Sequence, residues 1–262
     1  MSATPAEAYE QYLVPAIFEP WALKVLGAHP PKPGSRVLDL ACGTGIGARS
    51  GAAVVGRTGR VDAIDADEEM LAVARATRAR DGDAPIVWHH ASAVDVPFEA
   101  GRFDVVLCFE GLQFFPDRSA ALREIRRVLR AGGVFVGTVW GPLAQNPAYE
   151  ALAVALRRFV SEDAARLPPF TLTDAEEVRT LVGAAGFAEF RVQLESLRFT
   201  APSAERLVDW VAAGGPTLRH NLARLPEARR REFSELVATH LARYRAGTGL
   251  SLPSARNVIV AR

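Results

Sequence analysis

Two acids and a glycine loop carry the chemistry legible in this chain. Asp39-Leu40-Ala41-Cys42-Gly43-Thr44-Gly45 follows an apolar run and leads into a helical pattern. Glycines in such a loop let the backbone turn sharply and come close to a ligand. Asp65 stands 20 residues beyond Gly45, the distance at which an acid ending the next strand reaches ribose hydroxyls. The two features together point to a nucleoside derivative.

Charge decides which nucleoside. Gly43-x-Gly45-x-x-Ala48 satisfies the dinucleotide fingerprint, but a dinucleotide lays its anionic pyrophosphate over this loop. Asp39 would set a carboxylate beside that anion. S-adenosylmethionine has no phosphate and carries an ammonium and a sulfonium, so the same acid favours it. The bland reading of Asp39, an acid that hydrogen-bonds its own loop amides, stands beside this one. Methyl transfer from a sulfonium is an in-line displacement that mainly needs alignment of donor and acceptor. A base is needed only for an acceptor that arrives protonated. No fixed base is evident. The candidates are Glu110, ending an apolar run, and His220, and each has a structural alternative: a backbone hydrogen bond for Glu110, a solvated helix end for His220. His89-His90 lacks a further Cys or acid at ligand spacing, so no metal site is expected.

The elements that must position these groups alternate. Arg36–Ala41, Arg60–Asp65, Pro85–His90, Asp104–Phe109 and Val134–Trp140 read as strands. Between them, residues 45–55, Asp67–Arg80 and Asp117–Arg130 read as helices, the last capped by Gly132-Gly133. Strand and helix at this spacing build a parallel sheet covered on both faces. The second half changes character. Helices are expected near 148–160 and 174–185, a strand over Glu189–Thr200 and a last strand over Ser254–Arg262. Residues 203–246 read as amphipathic helix broken around Gly214-Gly215-Pro216 and Leu225-Pro226. Phe170, Leu207, Trp210, Val211 and Leu218 give these helices an apolar lining for a lid, with Arg206 and Arg219 as added cations.

The ordered segments resemble a known family. Val37-Leu38-Asp39-Leu40-Ala41-Cys42-Gly43-Thr44-Gly45 is similar to the first motif of class I S-adenosylmethionine-dependent methyltransferases, and Ile64–Leu71 to the segment after it. Ala91–Phe98, Phe103–Asp117 and Leu122–Gly133 resemble the adenine segment, the fourth-strand motif and the turn into strand five. The pattern is that of the ubiquinone/menaquinone-type, or methyltransferase-11, group and covers roughly residues 35–140. The resemblance implies a Rossmann-like, doubly wound, mostly parallel seven-stranded α/β sheet with an antiparallel last strand and a helical lid. It implies that Asp39, Ala41, Gly43 and Gly45 surround the methionine part, that Asp65 holds the ribose, and that Ala66, Met70, Ser92, Ala93 and Phe109 lie along the rest of the cofactor. Ser92 stands where relatives usually have an Asp. Tyr9, Tyr12, Phe18 and Trp21 sit on a helical arm of the kind relatives fold over the cofactor, with Tyr12 as its candidate contact.

The expected organisation is an arm over residues 1–30, a cofactor core of 31–142, 173–200 and 253–262, and a substrate cap of 143–172 and 201–252. In 262 residues, Lys+Arg 31 against Asp+Glu 30 gives a net charge of +1, which supplies no drive toward nucleic acid or an anionic membrane. Arg126, Arg127, Arg130 and Arg229–Arg231 read as solvated helix faces. Without an apolar run of spanning length or a signal-peptide pattern at Met1–Glu7, and with Cys42 and Cys108 as small buried hydrophobes, a cytoplasmic protein is expected. The expected activity is methyl transfer to a small-molecule acceptor, such as a secondary metabolite or quinone-like aromatic, with S-adenosylhomocysteine as product. The alternatives are a non-methylating rearrangement on the same scaffold and an NAD(P)-dependent oxidoreductase. Acceptor atom and oligomeric state are not written in the sequence.

Overall fold

The computed structural model describes residues 3–77 and 80–262; the expectations that touch Met1, Ser2, Arg78 and Ala79 lie outside the described residues. The arm is three helical pieces: α1 (Pro5–Ala8), a π-helical segment (Tyr9–Phe18) and α2 (Glu19–Ala28). Thr4 opens it with a capping box, its hydroxyl accepting from Glu7 N–H while the Glu7 carboxylate accepts from Thr4 N–H.

Strands β1 (Arg36–Leu40), β2 (Arg60–Asp65), β3 (Ile86–His90), β4 (Phe103–Phe109) and β5 (Leu129–Trp140) pair in parallel in the order β3-β2-β1-β4-β5. β8 (Gly249–Ala261) runs antiparallel to β5 and to β6 (Phe190–Ala201), and the two-residue β7 (Arg245–Ala246) pairs with its start. The seven long strands and the antiparallel last one agree with the sequence reading. β8 begins five residues earlier than expected, where Leu250 and Leu252 are buried against the helices of the second half.

Helices α3 (Ile46–Val55), α4 (Glu68–Ala76) and α5 (Arg118–Val128) make the crossovers, and α7 (Ala175–Ala184) precedes β6. Alternate residues of each strand feed opposite faces, the period-2 consequence of the pleat. Val37, Val61, Ala63 and Leu107 pack with Val25 of α2, Ala52 of α3 and Leu71 of α4. Leu38, Leu40, Val106 and Phe135 pack on the other face with Ile125 of α5 and Val178 and Val182 of α7. Asp67 caps α4 by accepting from the Glu69 and Met70 amides, and Asp117 caps α5 through the Ala120 amide. Gly132-Gly133 does not cap α5. That helix ends at Val128, and Ala131–Gly133 form an irregularity inside β5, where the register with β4 shifts between Phe103 and Val105 and Gly132 takes φ +73°.

A third apolar cluster lies over the carboxyl end of the sheet, from α6 (Pro147–Phe159), α8 (Ala204–Gly214), α9 (Pro216–Ala223) and α10 (Glu227–Leu241) together with Leu13 and Ile17 of the arm. No described helix is long and apolar enough to cross a membrane. Leu107 sits at the centre of the sheet, wholly buried beneath α3, so Leu107→Ala should cost about 2–5 kcal/mol of unfolding free energy. Urea unfolding followed by fluorescence checks this; a loss below about 1 kcal/mol would mean that the core relaxes to fill the hole.

Candidate functional site

The carboxyl ends of β1, β2 and β4 present three acids to one space. β1 is followed by Ala41 at φ +59°, and β4 by Glu110 at φ +53°, two non-glycine residues in the left-handed region just past adjacent strands. Such strained positions cost on the order of 1 kcal/mol each and persist where the surroundings over-determine them. Here the turns aim the chain from the sheet edge into a cavity. That cavity measures about 680 Å³, with a smaller recess of about 40 Å³ against the glycine loop. Tyr9, Phe18, Ala41, Gly43, Phe109 and Glu110 line both, so they mark where the two volumes meet.

Asp39 borders the recess at 1% exposure, and its Oδ2 is buried without a hydrogen-bond partner among the described residues. Burial pushes its carboxyl up to about 7; the Ala48 amide opposes this, the neighbouring Asp65 adds to it, and Arg49 counters it weakly. Gly47 is tight against it: a Cβ there would lie 2.7 Å from Asp39 Oδ2. Thr44 Oγ1, also on the recess, is a second buried atom without a partner.

Asp65 braces the loop from β2. Its Oδ2 accepts from Gly43 N–H at 2.7 Å and its Oδ1 from Asp67 N–H at 2.9 Å, while the carboxylate still lines the large cavity. Burial raises its pKa despite these amides. Ala66, Met70, Ser92 and Ala93 continue the same wall. Ser92 Oγ accepts from Val94 N–H at 3.3 Å, closing its own turn.

Gly45, His220 and Tyr12 do not line the cavity. Gly45, at φ +91°, caps α3 and lies so close to Trp88 that a Cβ would sit 2.4 Å from the ring; it shapes the loop from behind. His220 is exposed near the end of α9, which removes it as a base for a ligand in this space. Tyr12 stacks on Trp210 with centroids 6.3 Å apart, outside the lining. The reason is the winding of the arm. A π-helix bonds i to i+5, so Tyr9, Leu13 and Phe18 share the face over the cavity and Tyr12 turns away. Arg49 ties this arm to the loop, with Nη1 donating to Thr44 O and Nη2 to Glu10 Oε1, both at 2.6 Å.

Among the apolar lid residues named from sequence, Val211 and Leu218 line the cavity. Leu207 is core, Trp210 packs on Tyr12, and Phe170 packs on Trp140 and Tyr149. Arg206 lies within 3.4 Å of Asp209, and Arg219 is exposed. Sequence reasoning missed Trp140, Tyr149, Leu152 and Leu156 on the lining, and missed Arg256. Arg256 is wholly buried, 2.5 Å from Glu110 Oε1 through its Nε, with its guanidinium 3.8 Å from the Trp140 ring centroid. A charged residue in the middle of an apolar last strand was the available signal. Among the described residues no group of three potential ligands could hold a metal.

The raised pKa of Asp39 has a definite sign. Between the ordinary Asp value of about 4 and a folded value of about 7, the native state holds a proton that the unfolded state has lost. Stability of the ligand-free protein therefore falls as pH rises through that window, by at most about 1.4 kcal/mol per pH unit for this one group. Asp39→Asn should flatten this slope. Urea midpoints of wild type and variant at pH values from about 4.5 to about 8 check it; parallel curves would mean that Asp39 is ionised throughout.

Comparison with known proteins agrees with this geometry. A family described as a methyltransferase domain matches residues 38–137, the span from β1 into β5. Nocamycin O-methyltransferase of Saccharothrix syringae is 33% identical over 232 residues, 84% of this chain and 82% of that protein. Demethylmenaquinone methyltransferase of Staphylococcus aureus is 36% identical over 129 residues, 49% of this chain and 50% of that protein, so this second match is confined to half of each. The fold is shared with the YcgJ protein of Bacillus subtilis, at TM-score 0.61 and 20% identity over 92% of this chain and 97% of that one. On that family match and on the 33% identical relative, the chain belongs to the class I methyltransferases of the methyltransferase-11 group and is an S-adenosylmethionine-dependent methyltransferase.

Proposed function

We propose that the enzyme methylates a small, largely apolar acceptor, a secondary metabolite or quinone-like aromatic, held under a cap formed by residues 143–172 and 201–252. The observation that carries this reading is the division of the 680 Å³ cavity. Its sheet end is polar, with Asp65, Ser92 and Glu110; its far end is apolar, with Leu152, Leu156, Leu167, Pro168, Val211 and Leu218. The volume lies in the range of small-molecule sites.

The donor set fits S-adenosylmethionine. The buried, partnerless Asp39 Oδ2 and Thr44 Oγ1 beside the recess suit the amino-acid end of a ligand with an ammonium group. Asp65 would hold the ribose and Ala66, Met70, Ser92 and Ala93 the base, with Phe109 and Ala41 between. Bound there, the cofactor supplies an electrophilic methyl and leaves as a neutral thioether. Asp39 and Asp65 bind its charge and its hydroxyls, and the arm residues Tyr9, Leu13 and Phe18 cover the site from water. Loss of water strengthens each of these contacts. The buried free thiols of Cys42 and Cys108 support a reducing, cytoplasmic setting. A dinucleotide fits less well, because its pyrophosphate would meet Asp39.

Asp65→Ala should weaken S-adenosylhomocysteine binding by about 1.5–3 kcal/mol, the worth of charge-assisted hydrogen bonds. Calorimetry on the folded variant checks this, and an unchanged affinity would place the ribose elsewhere. Leu152→Ala and Leu218→Ala, at the far end, should change acceptor turnover while leaving cofactor affinity within about twofold, well under the 1.4 kcal/mol of a tenfold change. Equal losses in both would merge cap and cofactor site into one.

A further inference from the structure

Glu110 is built as more than a wall residue. Its Oε1 accepts from Thr138 Oγ1 at 2.6 Å and faces the Arg256 guanidinium at 2.5 Å. Its Oε2 has no hydrogen-bond partner among the described residues, on a side chain that lines both the recess and the large cavity. Two phenols on the same wall, Tyr9 from the arm and Tyr149 from α6, likewise have hydroxyls without a hydrogen-bond partner among the described residues. Behind them Arg256 lies under Trp140, with Trp21 and Phe18 at 5.0 and 5.6 Å from their ring centroids, and none of its three guanidinium nitrogens, the Nε beside Glu110 included, has an aligned hydrogen-bond acceptor among the described residues. Arg256 favours the carboxylate form of Glu110, against the burial that disfavours charge on both groups.

We propose that Glu110, Tyr9 and Tyr149 form an oxygen-lined subsite for the hydroxyl of a protonated acceptor, a phenol or enol, and that Glu110 Oε2 is its general base. This rests on the methyltransferase reading of the cavity. The acceptor oxygen forms a bond to the methyl carbon while the carbon–sulfur bond breaks, its electron pair remaining on sulfur. The proton on that oxygen passes to Glu110 Oε2. Burial raises the Glu110 carboxyl above the ordinary range, with Arg256 and Thr138 opposing, which brings a carboxylate closer to the acidity of a phenol. An acceptor already anionic, such as a carboxylate, would be repelled by the same group, so the subsite selects neutral hydroxyls.

The test uses the whole protein saturated with S-adenosylhomocysteine, so that no transfer occurs, and 4-nitrophenol as probe, read by the absorbance of its ionised form. The neutral phenol should bind, and its apparent affinity should fall at least tenfold as pH carries the free probe through its ionisation. In Glu110→Gln that pH preference should vanish, and Tyr149→Phe should weaken binding several-fold with S-adenosylhomocysteine affinity unchanged. With labelled S-adenosylmethionine and a series of substituted phenols, Glu110→Gln should lose about 10²–10⁴ in rate, least for the most acidic phenols. Preference of the wild type for the phenolate, or a rate in Glu110→Gln equal to wild type across the series, overturns the proposal. Should Glu110→Gln not fold, Tyr149→Phe decides: an unchanged phenol affinity overturns the subsite. Failure to bind S-adenosylhomocysteine at all would overturn the cavity reading beneath it, whereas binding of that ligand with no phenol bound overturns the subsite alone.

Discussion

Everything at the carboxyl edge of this sheet answers to one electrostatic constraint. Three carboxylates, Asp39, Asp65 and Glu110, border the recess and the cavity that adjoins it, and one wholly buried cation, Arg256, stands against them. Arg256 is committed to Glu110. Asp65 is braced by the amides of Gly43 and Asp67, which soften its burial without neutralising it. Asp39 is left with an oxygen that has no partner among the described residues, and burial pushes its carboxyl up to about 7 against the weak opposition of Arg49. A ligand that brings positive charge to the recess relieves this frustration; one that brings a pyrophosphate deepens it.

The rest of the fold serves to hold that arrangement closed. Left-handed turns at Ala41 and Glu110 end neighbouring strands and aim both into the cavity. The π-wound arm lays Tyr9, Leu13 and Phe18 across the opening, and the Glu10–Arg49–Thr44 chain of contacts couples the arm to the glycine loop. The helices of the second half add an apolar roof anchored in the third core cluster.

The sheet was legible because its strands are short apolar runs separated by turn residues, and the pattern places them to within a residue or two from β1 to β4. Asp39, Asp65 and the loop were legible because they act through local chain geometry. Tyr12 misled because an α-helical period was assumed where the arm winds as a π-helix, and nothing in Tyr9–Phe18 beyond Pro15 advertises that winding. Gly132-Gly133 resembled a helix cap because glycine at φ > 0 serves caps and strand irregularities alike. Arg256, Trp140 and Tyr149 converge from β8, β5 and α6, separated by more than a hundred residues at the widest, and no local pattern records such a meeting.

The central claim is that one continuous cavity holds the methionine end of the cofactor at Asp39, its ribose at Asp65 and the transferred methyl at the Glu110 corner. The most direct measurement is a crystal structure of the S-adenosylhomocysteine complex. The account predicts the ribose hydroxyls on the Asp65 carboxylate, the ammonium within the recess beside Asp39, and the thioether sulfur facing Glu110 and Tyr149. A ligand with its base under Trp140 and its amino-acid end away from the glycine loop would contradict it.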